Sequence, residues 1–229
     1  MKTIKKALFI FFVTLTSTVL YAQDWSLEVN DIRDYHRMIN HGAKVTNSYA
    51  DIKGSPYFFE DFRKGSVITK NGKKYNGEFR YDLYADQIEF KLDGDIYWIA
   101  NPELMEYIKI DDKLFVYYDK DMTDSKNGFY YQVLVMGECK LLYRKGINLK
   151  EAEPPKPYVD AKPATFIDRK PLYYIQKGIA YPQRVSNKGD LLENLSDKKQ
   201  EVSTFIKKNK ISVNNKDELI NLIEFYNSL

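Results

Sequence analysis

The chain has 229 residues, with 35 Lys and Arg against 32 Asp and Glu, two His and one Cys. A single cysteine excludes an internal disulfide framework, and two histidines leave little material for an imidazole-based metal site or relay. Lys2, Lys5 and Lys6 account for the whole formal charge of +3, so beyond them no global positive field remains to attract nucleic acid.

Those three lysines open residues 1–22, which read as a secretory signal peptide: a basic start, an apolar run from Ala7 to Leu20, and a small residue at Ala22. The run is shorter than the about 20 residues of a comfortable membrane span. No cysteine follows it until Cys139, so a lipid anchor is not expected. The rest of the chain is expected to be exported to the periplasm or outer-membrane periphery of a Gram-negative cell, soluble or peripherally attached to a membrane. Its charge is uneven. Residues 23–140 carry 16 basic and 21 acidic side chains, and residues 141–229 carry 16 and 11. That split reads either as two ordinary solvated surfaces or as a basic C-terminal face that docks on an acidic partner or an anionic lipid surface.

Taken in order, Asn30–Ile39 predicts a short helix, with Asn30 as cap, Ile32, Tyr35 and Ile39 on one face, and Gly42 as stop. The stretch "IKGSPYFFEDF", residues 52–62, has no period. Its Tyr57, Phe58, Phe59 and Phe62 are expected either to plug one end of a sheet or to form an interaction surface. A strand meander follows. Residues 65–70 lead into Asn71-Gly72, a two-residue hairpin signal with positive φ at both positions. Strict alternation then sets Tyr75, Gly77, Phe79 and Tyr81 inward, and Lys74, Asn76, Glu78, Arg80 and Asp82 outward. Ile88, Phe90 and Leu92 oppose Gln87, Glu89 and Lys91 in the same way. Asp93-Gly94 marks a second tight turn. Residues 96–100, 106–110, 114–119, 129–136 and 139–149 read as further strands. The spacing Tyr75-x-Gly77-x-Phe79 resembles the start of a MORN repeat, but no glycine follows until Gly94 and no second copy occurs.

Five of the eight prolines fall within residues 154–171, a segment expected to lie as an extended strap on the first domain through Tyr158 and Phe166. Residues 172–185 predict a hairpin turning at Lys177-Gly178. After it the period becomes helical. Leu191, Leu192 and Leu195 mark one short helix. Asp197-x-x-Gln200 and Asn215-x-x-Glu218 have capping-box spacing ahead of Val202, Phe205 and Ile206, and of Leu219, Leu222, Ile223 and Tyr226. Lys198, Lys199, Lys207 and Lys208 fall on the wet side of the middle helix.

Residues with chemical potential do not assemble into a site. His36 and His41 stand five apart, which does not share a helix face. Cys139 sits in an apolar strand pattern and reads as a small core residue. Residues 119–130 have calcium-loop acids, but the sixth position is Asp124 where a turn glycine is needed and the twelfth is Tyr130 where a bidentate glutamate is needed. No G-x-S-x-G elbow occurs. No catalytic residue, metal or cofactor is therefore assigned.

The segments "KGSPYFFEDFRKGSV", "YADQIEF", "EAEPPKPYVDAKPA" and "FIKKNKISVNNKDELINLIEFYNSL" together resemble an uncharacterised family of exported proteins common in Bacteroidota. The resemblance implies an envelope or secreted location and brings no reaction. The expected fold is α+β: an antiparallel meander over 23–150, forming a sandwich, half-barrel or small barrel, then the strap over 151–171, then a hairpin and two to three helices over 172–229. The expected role is a non-enzymatic envelope protein that binds a protein or glycan, with the four aromatics and four lysines above as its interaction surface. The alternative is a carrier of a lipid or other apolar ligand in a curved sheet.

Overall fold

A computed structural model describes residues 29–39, 44–46, 49–119, 128–158 and 160–229. The signal-peptide reading, His41 and most of the calcium-like loop lie outside them. The elements run β1 (Val29–Asp31), α1 (Ile32–Ile39), β2 (Arg63–Thr69), β3 (Lys74–Asp82), β4 (Gln87–Leu92), β5 (Asp95–Trp98), β6 (Met105–Ile110), β7 (Lys113–Tyr118), β8 (Phe129–Val135), β9 (Cys139–Arg144) and β10 (Ile147–Lys150). They continue with β11 (Thr165–Asp168), β12 (Leu172–Lys177), β13 (Gln183–Val185), α2 (Lys188–Asn194), α3 (Lys199–Asn209) and α4 (Lys216–Ser228).

The fold is α+β, dominated by one antiparallel sheet in the order β13-β12-β9-β8-β7-β6-β2-β3-β4-β5. The short β1 adds in parallel beside Lys74–Asn76, the half of β3 that β4 leaves unpaired. The ladder does not close. It does curl: β3 and β8 stand four strand spacings apart, about 19 Å in a flat sheet, yet the Tyr81 and Tyr130 rings are 5.7 Å apart. The meander is thus an open, half-barrel-like sheet wrapped round its own side chains.

That wrapped face carries the first core: Val67, Tyr75, Phe79, Tyr81, Ile88, Phe90, Ile108, Ile110, Phe115 and Tyr130, closed by Ile32 and Tyr35 of α1 and by Phe166. The alternation of β3 and β4 predicted these inward rows. The far end of the same face, on β8, β9 and β12, is covered by the helices. Leu219, Leu222, Ile223 and Tyr226 of α4 pack there with Leu141, Ile175, Val202 and Leu195. Asn227 fastens α4 to the sheet, since its side-chain amide accepts from the Cys139 N–H (3.0 Å) and donates to the Cys139 carbonyl (2.9 Å).

Several local expectations need correction. Asn30 belongs to β1, opposite Tyr75, and α1 starts at Ile32. Asn71-Gly72 is not a two-residue turn: the Gly72 N–H bonds the Thr69 carbonyl (2.9 Å), and of the pair only Gly72 has positive φ, at 82°. This is a four-residue turn ending in a left-handed glycine. The two-residue form occurs instead at Asp93-Gly94, with φ of 51° and 86°. Residues 139–149 are not one strand. The main sheet loses the chain after Arg144, and β10 pairs with β11 in a separate two-stranded sheet, which turns Ile147 and Phe166 into the first core. The Pro-rich strap therefore contains a strand. Within it Tyr158 is fully exposed. The hairpin of residues 172–185 is continuous with the main sheet, pairing with β9 from Leu172↔Arg144 to Lys177↔Cys139. At the start of α3, Asp197 does not cap. It lies in a 3-10 turn and instead accepts from Lys177 Nζ and from the Tyr226 hydroxyl (2.6 Å). Asn215 does cap α4, accepting from the Asp217 and Glu218 N–H groups.

One glycine tests the tightness of the ladder. A Cβ at Gly65 would stand 2.1 Å from the Lys109 carbonyl oxygen on the neighbouring β6. Gly65→Ala should part β2 from β6 and abolish a single cooperative transition in urea. Gly178→Ala, with open space around it and φ +53°, should lower stability by only about 1 kcal/mol.

Candidate functional site

The residues singled out from the sequence are found in three places. Phe58 and Phe59 pack on the first core, with the Phe58 ring 5.5 Å from Phe115. Tyr57 and Phe62 clasp Arg80 instead: the guanidinium carbon lies 3.5 Å from the Tyr57 ring centre and 4.4 Å from that of Phe62. All four rings are half-buried. Lys198 donates to the Tyr226 carbonyl (3.2 Å) and lies 4.5 Å over the Tyr226 ring. Lys199, Lys207 and Lys208 are exposed on α3.

The aromatic clasp covers a corner that alternation alone assigned to solvent. Beneath it Arg80 pairs with Glu89 at 2.8 Å, with side chains 14% and 1% exposed. Asp82 is also buried; it accepts from the Tyr49 hydroxyl (2.8 Å) and from the Tyr84 and Ala85 N–H groups (2.9 Å each). Burial pushes the Glu89 carboxyl up; Arg80 pulls the other way, and so does the Trp98 indole, which faces it without completing a hydrogen bond. Burial likewise raises Asp82 against its three donors.

Among the described residues a cleft of about 100 Å³ opens where the chain leaves the main sheet and returns. Its walls are Leu83, Tyr84 and Asp86 from the β3–β4 turn, Arg144 to Ile147 after β9, and Arg169, Lys170 and Leu172 before β12. Four cations and one carboxylate thus line it. Asp86 has φ 53°, a left-handed geometry that aspartate tolerates. Its carboxylate accepts from the Tyr81 hydroxyl and from Arg144 Nη2 at 2.9 Å. Burial raises its pKa while Arg144 and Tyr81 oppose the rise. The Arg144 guanidinium also lies 3.6 Å from the Phe129 ring centre, and its buried Nε–H has no hydrogen-bond partner among the described residues. Lys145 reaches Asp168 at 3.3 Å, an exposed carboxylate outside the lining. Arg169 and Lys170 are exposed and have no ion-pair partner among the described residues.

Sequence reasoning missed this site. Its signal was present as two Arg-Lys doublets, Arg144-Lys145 before Gly146 and Arg169-Lys170 before Pro171, each at a point where strand character breaks. Nothing in either doublet alone says that the two meet.

Other chemistry is not gathered. His36 packs at a tilt against Tyr97, with centroids 4.4 Å apart. Burial pushes the Cys139 thiol up to about 12, which keeps it protonated and unreactive. No group of three His, Cys, Asp or Glu among the described residues could hold a metal, and none of their helices is long and apolar enough to cross a membrane. Comparisons with protein-family models, curated proteins and solved structures each returned no match.

The buried pair carries a pH signature. Arg80→Met should cost about 3–5 kcal/mol at pH 7 by stranding the Glu89 charge. A carboxyl whose folded pKa is raised contributes stability below its unfolded pKa, and that contribution is lost as pH rises through the folded value. The deficit of the variant should therefore shrink as pH falls through the raised folded value of Glu89 toward the ordinary glutamate value of about 4. Urea unfolding of both proteins across pH 4–7 checks this.

Proposed function

We propose that this protein is a non-enzymatic, exported binding module of the cell envelope that engages an acidic protein or glycan through its basic cleft. The observation that carries the reading is the cleft lining, four cations against one carboxylate, with no ion-pair partner for Arg169 or Lys170 among the described residues. Oxygen-bearing anions are the natural complement of such a site. The lysines of α3 add to the positive excess of the C-terminal half. The envelope setting rests on the reading of residues 1–22 and on the resemblance to exported proteins. Phe79, Phe90, Phe115 and Tyr130 fill the wrapped face of the sheet, which supports engagement at the surface over carriage of an apolar ligand inside.

Arg169→Ala/Lys170→Ala should weaken binding to acidic oligosaccharides, both sulfated and uronic, by about tenfold, or about 1.4 kcal/mol. Lys70→Ala/Lys73→Ala, at the far end of β3 and matched in charge change, should leave it within about twofold, or about 0.4 kcal/mol. Fluorescence anisotropy at fixed ionic strength makes the comparison. Equal affinity of both variants would remove the cleft from the reading.

A further inference from the structure

We infer that the cleft is built for a tetrahedral oxyanion ester, a phosphate or sulfate group whose carrier stays outside the cleft. The inference rests on the binding reading above and names its ligand. Three features of the cleft support it.

The first is the direction of the donors. Arg144 and Lys145 enter from the end of β9, and Arg169 and Lys170 from the return into β12. A carboxylate has two oxygens in one plane, and a single guanidinium fork engages both of them. Cations arriving from two strands of chain suit a group with three or more oxygens spread in space.

The second is that the inner donor is already set. Asp86 and the Phe129 ring hold the Arg144 guanidinium from two sides, while its Nε–H stays buried and unpartnered. A guanidinium held in place before binding loses little freedom when an oxyanion arrives. Asp86 and Arg144 neutralise each other, so the positive excess of the cleft comes from Lys145, Arg169 and Lys170.

The third is size. About 100 Å³ is below the ~150 Å³ of a cavity that takes up one benzene ring, which suits one such group with any sugar ring left at the rim. A ring carried by the ester would lie at the rim, where Tyr84 is 44% exposed. The Tyr84 ring is backed by Tyr49 and Phe166, with centroids 6.1 and 5.3 Å away, so it presents a braced flat surface.

Isothermal titration of the full exported chain tests the assignment with inorganic phosphate, inorganic sulfate, glucose 6-phosphate and glucuronate. Vesicle sedimentation adds phosphatidic acid in a phosphatidylcholine background. The expected result is saturable binding of phosphate, sulfate or their esters, at least tenfold tighter than glucuronate. Arg169→Ala/Lys170→Ala should weaken it at least tenfold, and Lys70→Ala/Lys73→Ala should not. Tyr84→Ala should weaken glucose 6-phosphate and leave inorganic phosphate unchanged if the carrier is a sugar. Binding to phosphatidic acid vesicles alone, dependent on Arg169 and Lys170, supports the ester and makes the carrier a lipid headgroup. Glucuronate binding as tightly as phosphate through Arg169 and Lys170 would overturn the tetrahedral ligand and leave the binding module standing. An absence of anion binding, or binding indifferent to Arg169 and Lys170, would overturn both.

Discussion

The antiparallel register between β9 and β12 is the constraint on which the rest of the molecule depends. Six pairs, from Leu172↔Arg144 to Lys177↔Cys139, join segments separated by the whole Pro-rich excursion. The excursion must therefore begin and end at one place on the sheet. Because it does, Arg144-Lys145 and Arg169-Lys170 become neighbours and the cleft exists. The same register lays Leu141, Tyr143, Tyr173 and Ile175 side by side, and that apolar floor is what α2, α3 and α4 cover. At the other end of the pair Lys177 reaches Asp197, linking the sheet to the helical layer.

Curvature is the second organising fact. Aromatic residues too large for a flat interior are accommodated because the ladder bends round them, and Tyr81, Phe115 and Tyr130 meet edge to face. Phe79, Phe90, Phe115 and Tyr130 fill this face, and the charged cleft lies outside it, where the chain leaves the ladder. The β3–β4 turn shows how. Its tip sits five strand spacings from β9 along the ladder, and bending brings Asp86 against Arg144.

Much of this architecture was legible in the residues. Period-two alternation named the inward rows of β3 and β4, and period 3.6 named the buried face of α4, because both patterns are local and each encodes a single choice of face. What the sequence withheld were the places where two distant segments share a surface. Glu89 alternates like any solvated residue, yet Arg80 and Trp98 meet it, and Tyr57 and Phe62 cover that Arg80. Asp197 has capping-box spacing, but Lys177 and Tyr226 compete for its carboxylate and win, and neither is a local neighbour. The cleft is the same case: each Arg-Lys doublet reads as an ordinary solvated pair until the register of β9 and β12 sets them face to face.

An open ladder of ten strands ends in two rows of unpaired backbone groups, and such rows recruit strands from other molecules. Here the outermost strands are β5, four residues long, and β13, three. Lys44 bridges β5 at Tyr97 and places its ammonium on Asp95, while β13 runs within a few residues into α2. The sheet can thus stay open, with its cleft accessible, without offering a template for fibrillar self-association.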